Sequence, residues 1–98
     1  MNLQGFKATL ALKAPPEGLS GALTALWWDA KGDWHKAHEF AQRVEDDRDG
    51  QWVHAYLHRR EGDLSNAGYW YKRAGKPAAS TSLEAEWEAI ARALLSQA

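Results

Sequence analysis

Gly32-Asp33-Trp34-His35-Lys36-Ala37-His38-Glu39-Phe40 and Gly62-Asp63-Leu64-Ser65-Asn66-Ala67-Gly68-Tyr69-Trp70 are one pattern written twice, thirty residues apart. The same shift carries Ala25 onto Ala55 and Arg43 onto Arg73, and sets Trp34 against Leu64 and Phe40 against Trp70. The shared residues fall where two packed helices tolerate least. A Gly past a helix end permits the left-handed cap, the Asp after it can N-cap the next helix, and Ala lets the axes approach. A repeated helix pair whose halves cannot each bury a face alone is the signature of a helical solenoid.

Outward from this repeat, Ala14-Pro15-Pro16, Asp49-Gly50 and Gly75-Lys76-Pro77 punctuate the chain, since Pro removes a donor and restricts the residue before it. Between the breaks, helices are expected over 17–31, 34–46, 51–61, 64–74 and 82–97. Trp34, Ala37, Ala41 and Val44 share one face of the second. Leu64, Ala67, Tyr71 and Ala74 share the matching face of the fourth. Thr81-Ser82-Leu83-Glu84 fits a capping box, and Leu83, Trp87, Ile90 and Leu94 then recur at helical spacing. Residues 1–14 suit a strand by the alternation of Phe6, Ala8, Leu10 and Leu12. They suit a helix equally by Leu3, Phe6 and Leu10. The expectation is one all-α domain over 1–98: an N-terminal segment 1–14, hairpins over 17–46 and 50–75, and a capping helix over 81–97.

Gly32 to Phe40 resembles the turn and second helix of the tetratricopeptide repeat: a Gly, an aromatic two residues on at Trp34, and Ala37 three beyond. Gly62 to Ala67, followed by Tyr69-Trp70-Tyr71-Lys72-Arg73-Ala74, is similar to the Sel-one-like relatives. The likeness covers about residues 20–75, with a period of 30 against about 34 for the family. Two hairpins fall short of the three or more that such solenoids need. The remaining burial must come from the C-terminal helix, the N-terminal segment, a second copy or a partner.

Composition narrows the function classes. Twelve Lys+Arg against thirteen Asp+Glu leave a net charge of −1, which argues against a general nucleic-acid binder. Absent cysteine excludes disulfides, thiolate metal sites and a Cys nucleophile. No apolar run is long enough to span a bilayer, and no secretion signal opens the chain, so a cytoplasmic protein is expected. Six Trp in 98 residues are either core or an exposed adhesive surface, each able to bury about 150–250 Å².

Chemistry is sparse. There is no Gly-rich phosphate loop and no Gly-x-Ser-x-Gly nucleophile, so no enzyme and no cofactor are expected. Glu45, Asp47, Asp49 and Gly50 imitate a calcium loop, but the position that needs a bidentate Glu is Tyr56. His35 and His38 lie three apart, His54 and His58 four apart, and each spacing puts a pair on one helical face. If the helices holding them pack about a turn near Arg48, His38, His54 and His58 converge. Packing is preferred to a metal site here, because no Asp or Glu is an obvious orienting partner. A small metal- or ligand-binding protein, even a hydrolase, built on those three histidines is the alternative.

By the resemblance, the first helix of each hairpin lines a concave groove. That places Leu19, Ala22, Leu26, Asp29 and Ala30 from the first and Trp52, Tyr56, Arg59 and Arg60 from the third on one surface. Leu26, Asp29, Trp52, Tyr56, Arg59 and Arg60 then form an aromatic and basic groove for an extended peptide or a C-terminal carboxylate. The competing reading packs Trp52 and Tyr56 beneath the C-terminal helix or the N-terminal segment. The expected function is a non-catalytic protein-interaction module. Self-association as a homodimer, with Trp27 and Trp28 as anchors, would cover an open solenoid end.

Overall fold

The computed structural model describes residues 1–97; Ala98, at the end of the domain expected over 1–98, lies outside them. Six α-helices and no strand occur among the described residues: α1 Leu3–Ala8, α2 Gly21–Ala30, α3 Trp34–Arg43, α4 Arg48–Arg60, α5 Leu64–Ala74 and α6 Leu83–Leu95. A single 3-10 turn, Thr9–Ala11, follows α1. No helix is long and apolar enough to cross a membrane.

The Gly-Asp turns do what their chemistry allows. Gly32 and Gly62 take φ of 85° and 90°, a left-handed backbone that costs glycine little. Asp33 and Asp63 then accept from the backbone N–H of Lys36 at 3.0 Å and Asn66 at 3.2 Å. Across these turns α2 packs on α3 and α4 on α5, with α3 also against α4. Ala37 and Ala67 are buried at the contacts.

Several boundaries differ from expectation, and α6 ends at Leu95 rather than 97. The first helix of the repeat starts at Gly21, not near residue 17, because Gly18 takes φ 90° and the Ser20 hydroxyl accepts from Leu23 N–H at 3.2 Å. The next ends at Arg43 rather than 46, where Val44 leaves helical geometry. The third starts at Arg48, so Asp49-Gly50 is helix and not a break. Gly50 is buried there, and a Cβ on it would lie 2.1 Å from the Val44 carbonyl oxygen, while a Cβ on Gly21 would lie 2.7 Å from Val44 Cγ1. Val44 is wedged between the two glycines. The last cap is Ser82 rather than Thr81: its hydroxyl accepts from Ala85 N–H at 3.1 Å.

The segment 1–14 is helical at its start. Phe6 stacks on Trp87 with centroids 5.7 Å apart, and the Lys31 ammonium donates to the carbonyls of Leu10 and Leu12.

The position of α6 matters most for function. It packs on both α2 and α4, and α1 packs on it in turn. Trp87 Nε1 donates to the Leu26 carbonyl at 3.0 Å. The Arg59 guanidinium donates to Glu86 Oε1 at 2.8 Å and also to the Thr81 carbonyl, and the Tyr71 hydroxyl donates to Glu86 Oε2. Glu86 is buried, and a buried carboxylate is tolerable only with such partners. The helix therefore covers the surface shared by α2 and α4. The main core (Phe6, Leu23, Leu26, Trp27, Val53, Leu57, Ile90 and their neighbours) lies beneath it, and a smaller cluster of Ala55, Ala67 and Tyr71 lies between α4 and α5.

Candidate functional site

The groove residues separate into buried and paired ones. Leu26 is fully enclosed, Tyr56 is 1% exposed and Asp29 4%, so these three offer no open anchor; α6 and α1 occupy the space in which a peptide would have lain. Trp52 is half-buried, with the Lys76 ammonium 4.3 Å over its ring. Arg59 is consumed by Glu86. Asp29, Tyr56 and Arg60 do meet, in a cleft of about 490 Å³ also lined by Lys7, Trp87 and Glu88. There the Tyr56 hydroxyl donates to Asp29 Oδ2 at 2.9 Å, and Arg60 Nε sits 3.2 Å from Asp29 Oδ1. Burial raises the Asp29 carboxyl above its usual range, against the opposing Tyr56 hydrogen bond and Arg60 charge. Burial and the neighbouring Asp29 likewise push the Tyr56 phenol up. Lys7 is paired with Glu88 at 2.6 Å. Both cations of the cleft are thus answered within the chain, leaving neither free for an incoming carboxylate.

Of the anticipated dimer anchors, Trp27 is not at the surface and Trp28 is partly buried. Trp27 is fully buried, its Nε1 donating to Thr9 Oγ1 at 3.1 Å. Trp28 packs edge-on against Trp27, and the Lys36 ammonium lies 4.4 Å over its ring. The N-terminal segment encloses the indole of Trp27, a packing that periodicity within 17–31 could not reveal.

The outer side of α5 is open: α5 packs chiefly on α4, and Tyr71, on its buried side, reaches Glu86 of α6. Leu64 is 69% exposed and Tyr69 53%. The Arg73 guanidinium lies 5.7 Å over Tyr69 and 5.0 Å over Trp70, and donates to the Tyr69 hydroxyl at 2.9 Å. No Asp or Glu occurs from Leu64 to Lys76. Among the described residues, no carboxylate pairs with Lys72, Arg73 or Lys76. Leu64 and Tyr69 were assigned to no site by the sequence reading; the signal was the acid-free run beginning at Leu64.

Behind α5 lie the histidines. His38 on α3 and His54 and His58 on α4 bring a ring nitrogen each within 4.8 Å of one another. His54 Nε2 is 2.9 Å from His38 Nε2. His54 stacks between Trp70, at 4.1 Å, and His58, at 4.8 Å, while Trp34 stacks on His38 at 4.9 Å. Burial, then the neighbouring His38 and His58, bring His54 down to about 4. Burial and His58 also lower His38. The orienting carboxylate that seemed missing is Glu61, whose Oε1 lies 2.9 Å from His58 Nδ1. It sits one turn on from His58, just past the end of α4, where a search between helices overlooks it. His35 stands apart, exposed and edge-on to Trp34. No family model matches the chain, and neither a curated protein nor a solved structure does.

Proposed function

We propose that the protein is a non-catalytic interaction module of two successive tetratricopeptide-like hairpins, and that its contact surface is the outer face of α5. The partner is a protein that presents carboxylates beside an apolar side chain. The observation that carries this reading is exposed Tyr69 beside Arg73, which stacks on it and on Trp70 and has no carboxylate in ion-pair contact, with exposed Leu64 at the start of the same helix. Tyr, Trp and Arg are the residue types that concentrate binding energy at interfaces, and Arg forks onto carboxylates in bidentate fashion. In a longer solenoid a third hairpin would cover this helix; here α6 turns away to close the α2–α4 surface instead. The same face is open to a second copy, whereas the expected anchor Trp27 is enclosed.

The probe is a fluorescent Glu-rich decapeptide containing one Leu, titrated at low salt. Arg73→Glu should weaken its binding about tenfold, equivalent to about 1.4 kcal/mol. Arg60→Glu, in the cleft, should change it little. Equal losses in both variants, or no binding to the wild type, would reject the α5 face. A dimer in sedimentation that Arg73→Glu dissociates would assign the face to a second copy.

A further inference from the structure

We infer that His38, His54 and His58 form a binding site for one divalent transition metal of the zinc class, with the fourth coordination position left to water. The reading starts from ligand chemistry. Zinc takes imidazole nitrogens at about 2.0–2.1 Å, so two nitrogens on one ion stand no more than about 4.2 Å apart. His38 and His54 already meet at 2.9 Å, and all three ligand atoms fall within 4.8 Å.

Three further features are those an ion would use. Two ring nitrogens facing each other at 2.9 Å form one N–H···N hydrogen bond in the free protein, and in the deprotonated pair both lone pairs point at a common place for a cation. His58 holds its Nδ1 against Glu61 at 2.9 Å. That fixes the tautomer and leaves Nε2 as the ligand, the carboxylate–histidine–metal arrangement. Its Nε2 meets only the Asn66 amide at 3.3 Å. Finally, Trp34 and Trp70 hold the planes of His38 and His54 by stacking, so little ring freedom is lost on binding.

The ligands come from two helices of different hairpins, so the ion would clamp α3 to α4, and Trp70 and Asn66 tie the site to α5. His38 is the partly exposed member and gives the ion its route in and its water.

The test is calorimetric titration of the full chain with Zn²⁺ after chelator treatment. The expected result is one ion per chain, with a dissociation constant of about 1 µM or below. His38→Ala should weaken binding at least about 100-fold and Glu61→Gln about tenfold, while His35→Ala should leave it unchanged. Circular dichroism of each variant shows whether it is folded, and Co²⁺ in place of Zn²⁺ should give the strong visible bands of a nitrogen-rich tetrahedral site. No 1:1 binding by folded wild-type protein at about 100 µM would overturn the proposal and leave the three rings as packing. Binding that persists in His38→Ala would overturn it too, by placing the ion elsewhere.

Discussion

Gly50→Ala should destabilise the protein by about 3 kcal/mol or more, while the same change at Gly68 should stabilise it by up to about 1 kcal/mol. Both glycines lie within helices at negative φ, where alanine is ordinarily the better residue by about 0.5–1 kcal/mol. What separates them is space. A Cβ on Gly68 meets nothing within 4 Å; one on Gly50 would stand 2.1 Å from the Val44 oxygen and 2.8 Å from its carbonyl carbon. Those are backbone atoms, so no rotamer change relieves the clash. The start of α4 must move off the 44–47 connection, and overpacking of a rigid site costs about 1–3 kcal/mol or more. Urea midpoints at unchanged slope decide it. Two shifts of the same sign would show that Val44 is not held between Gly21 and Gly50.

Trp87→Ala should cost about 3–5 kcal/mol, as large aromatic truncations in cores do. Trp87 stacks on Phe6 and donates to the Leu26 carbonyl, so it fastens α6 to both α1 and α2. Glu88→Ala one residue on, which removes a single exposed pair with Lys7, should cost less than about 1 kcal/mol. A stability of about 5–15 kcal/mol for such a domain makes the first loss a large fraction of the whole. Comparable small losses in the two variants would mean that α6 is not seated across α2 and α4.

How much of this was legible depended on whether the deciding residue acts locally. α5 runs Leu64–Ala74 as read, because Asp63 at one end and the left-handed Gly75 at the other are both local signals. Gly50 misled, since Asp49-Gly50 has the form of a turn while the glycine answers a contact six residues away. The apolar stripe of Trp87, Ile90 and Leu94 announced that α6 covers something, but periodicity holds no record of which surface. The groove expected at Leu26 and Tyr56 was lost for that reason. The histidines fared differently. Spacing on two helices brought His38, His54 and His58 to one place, because a short connection near Arg48 leaves few ways to pack α3 on α4. Their stacking on Trp34 and Trp70 needed three dimensions.

α6 closes the α2–α4 surface and leaves the outer α5 face open. The chain's three tyrosines sample both places: Tyr56 and Tyr71 are buried beside Asp29 and Glu86, and Tyr69 is exposed on α5. Acetylation of the native protein with N-acetylimidazole, mapped by mass spectrometry, reads them separately. Among the tyrosines, Tyr69 alone should be modified, with Tyr56 and Tyr71 labelled only after denaturation. Labelling of Tyr56 in the native protein at a rate like that of Tyr69 would contradict it and restore an open groove between α2 and α4.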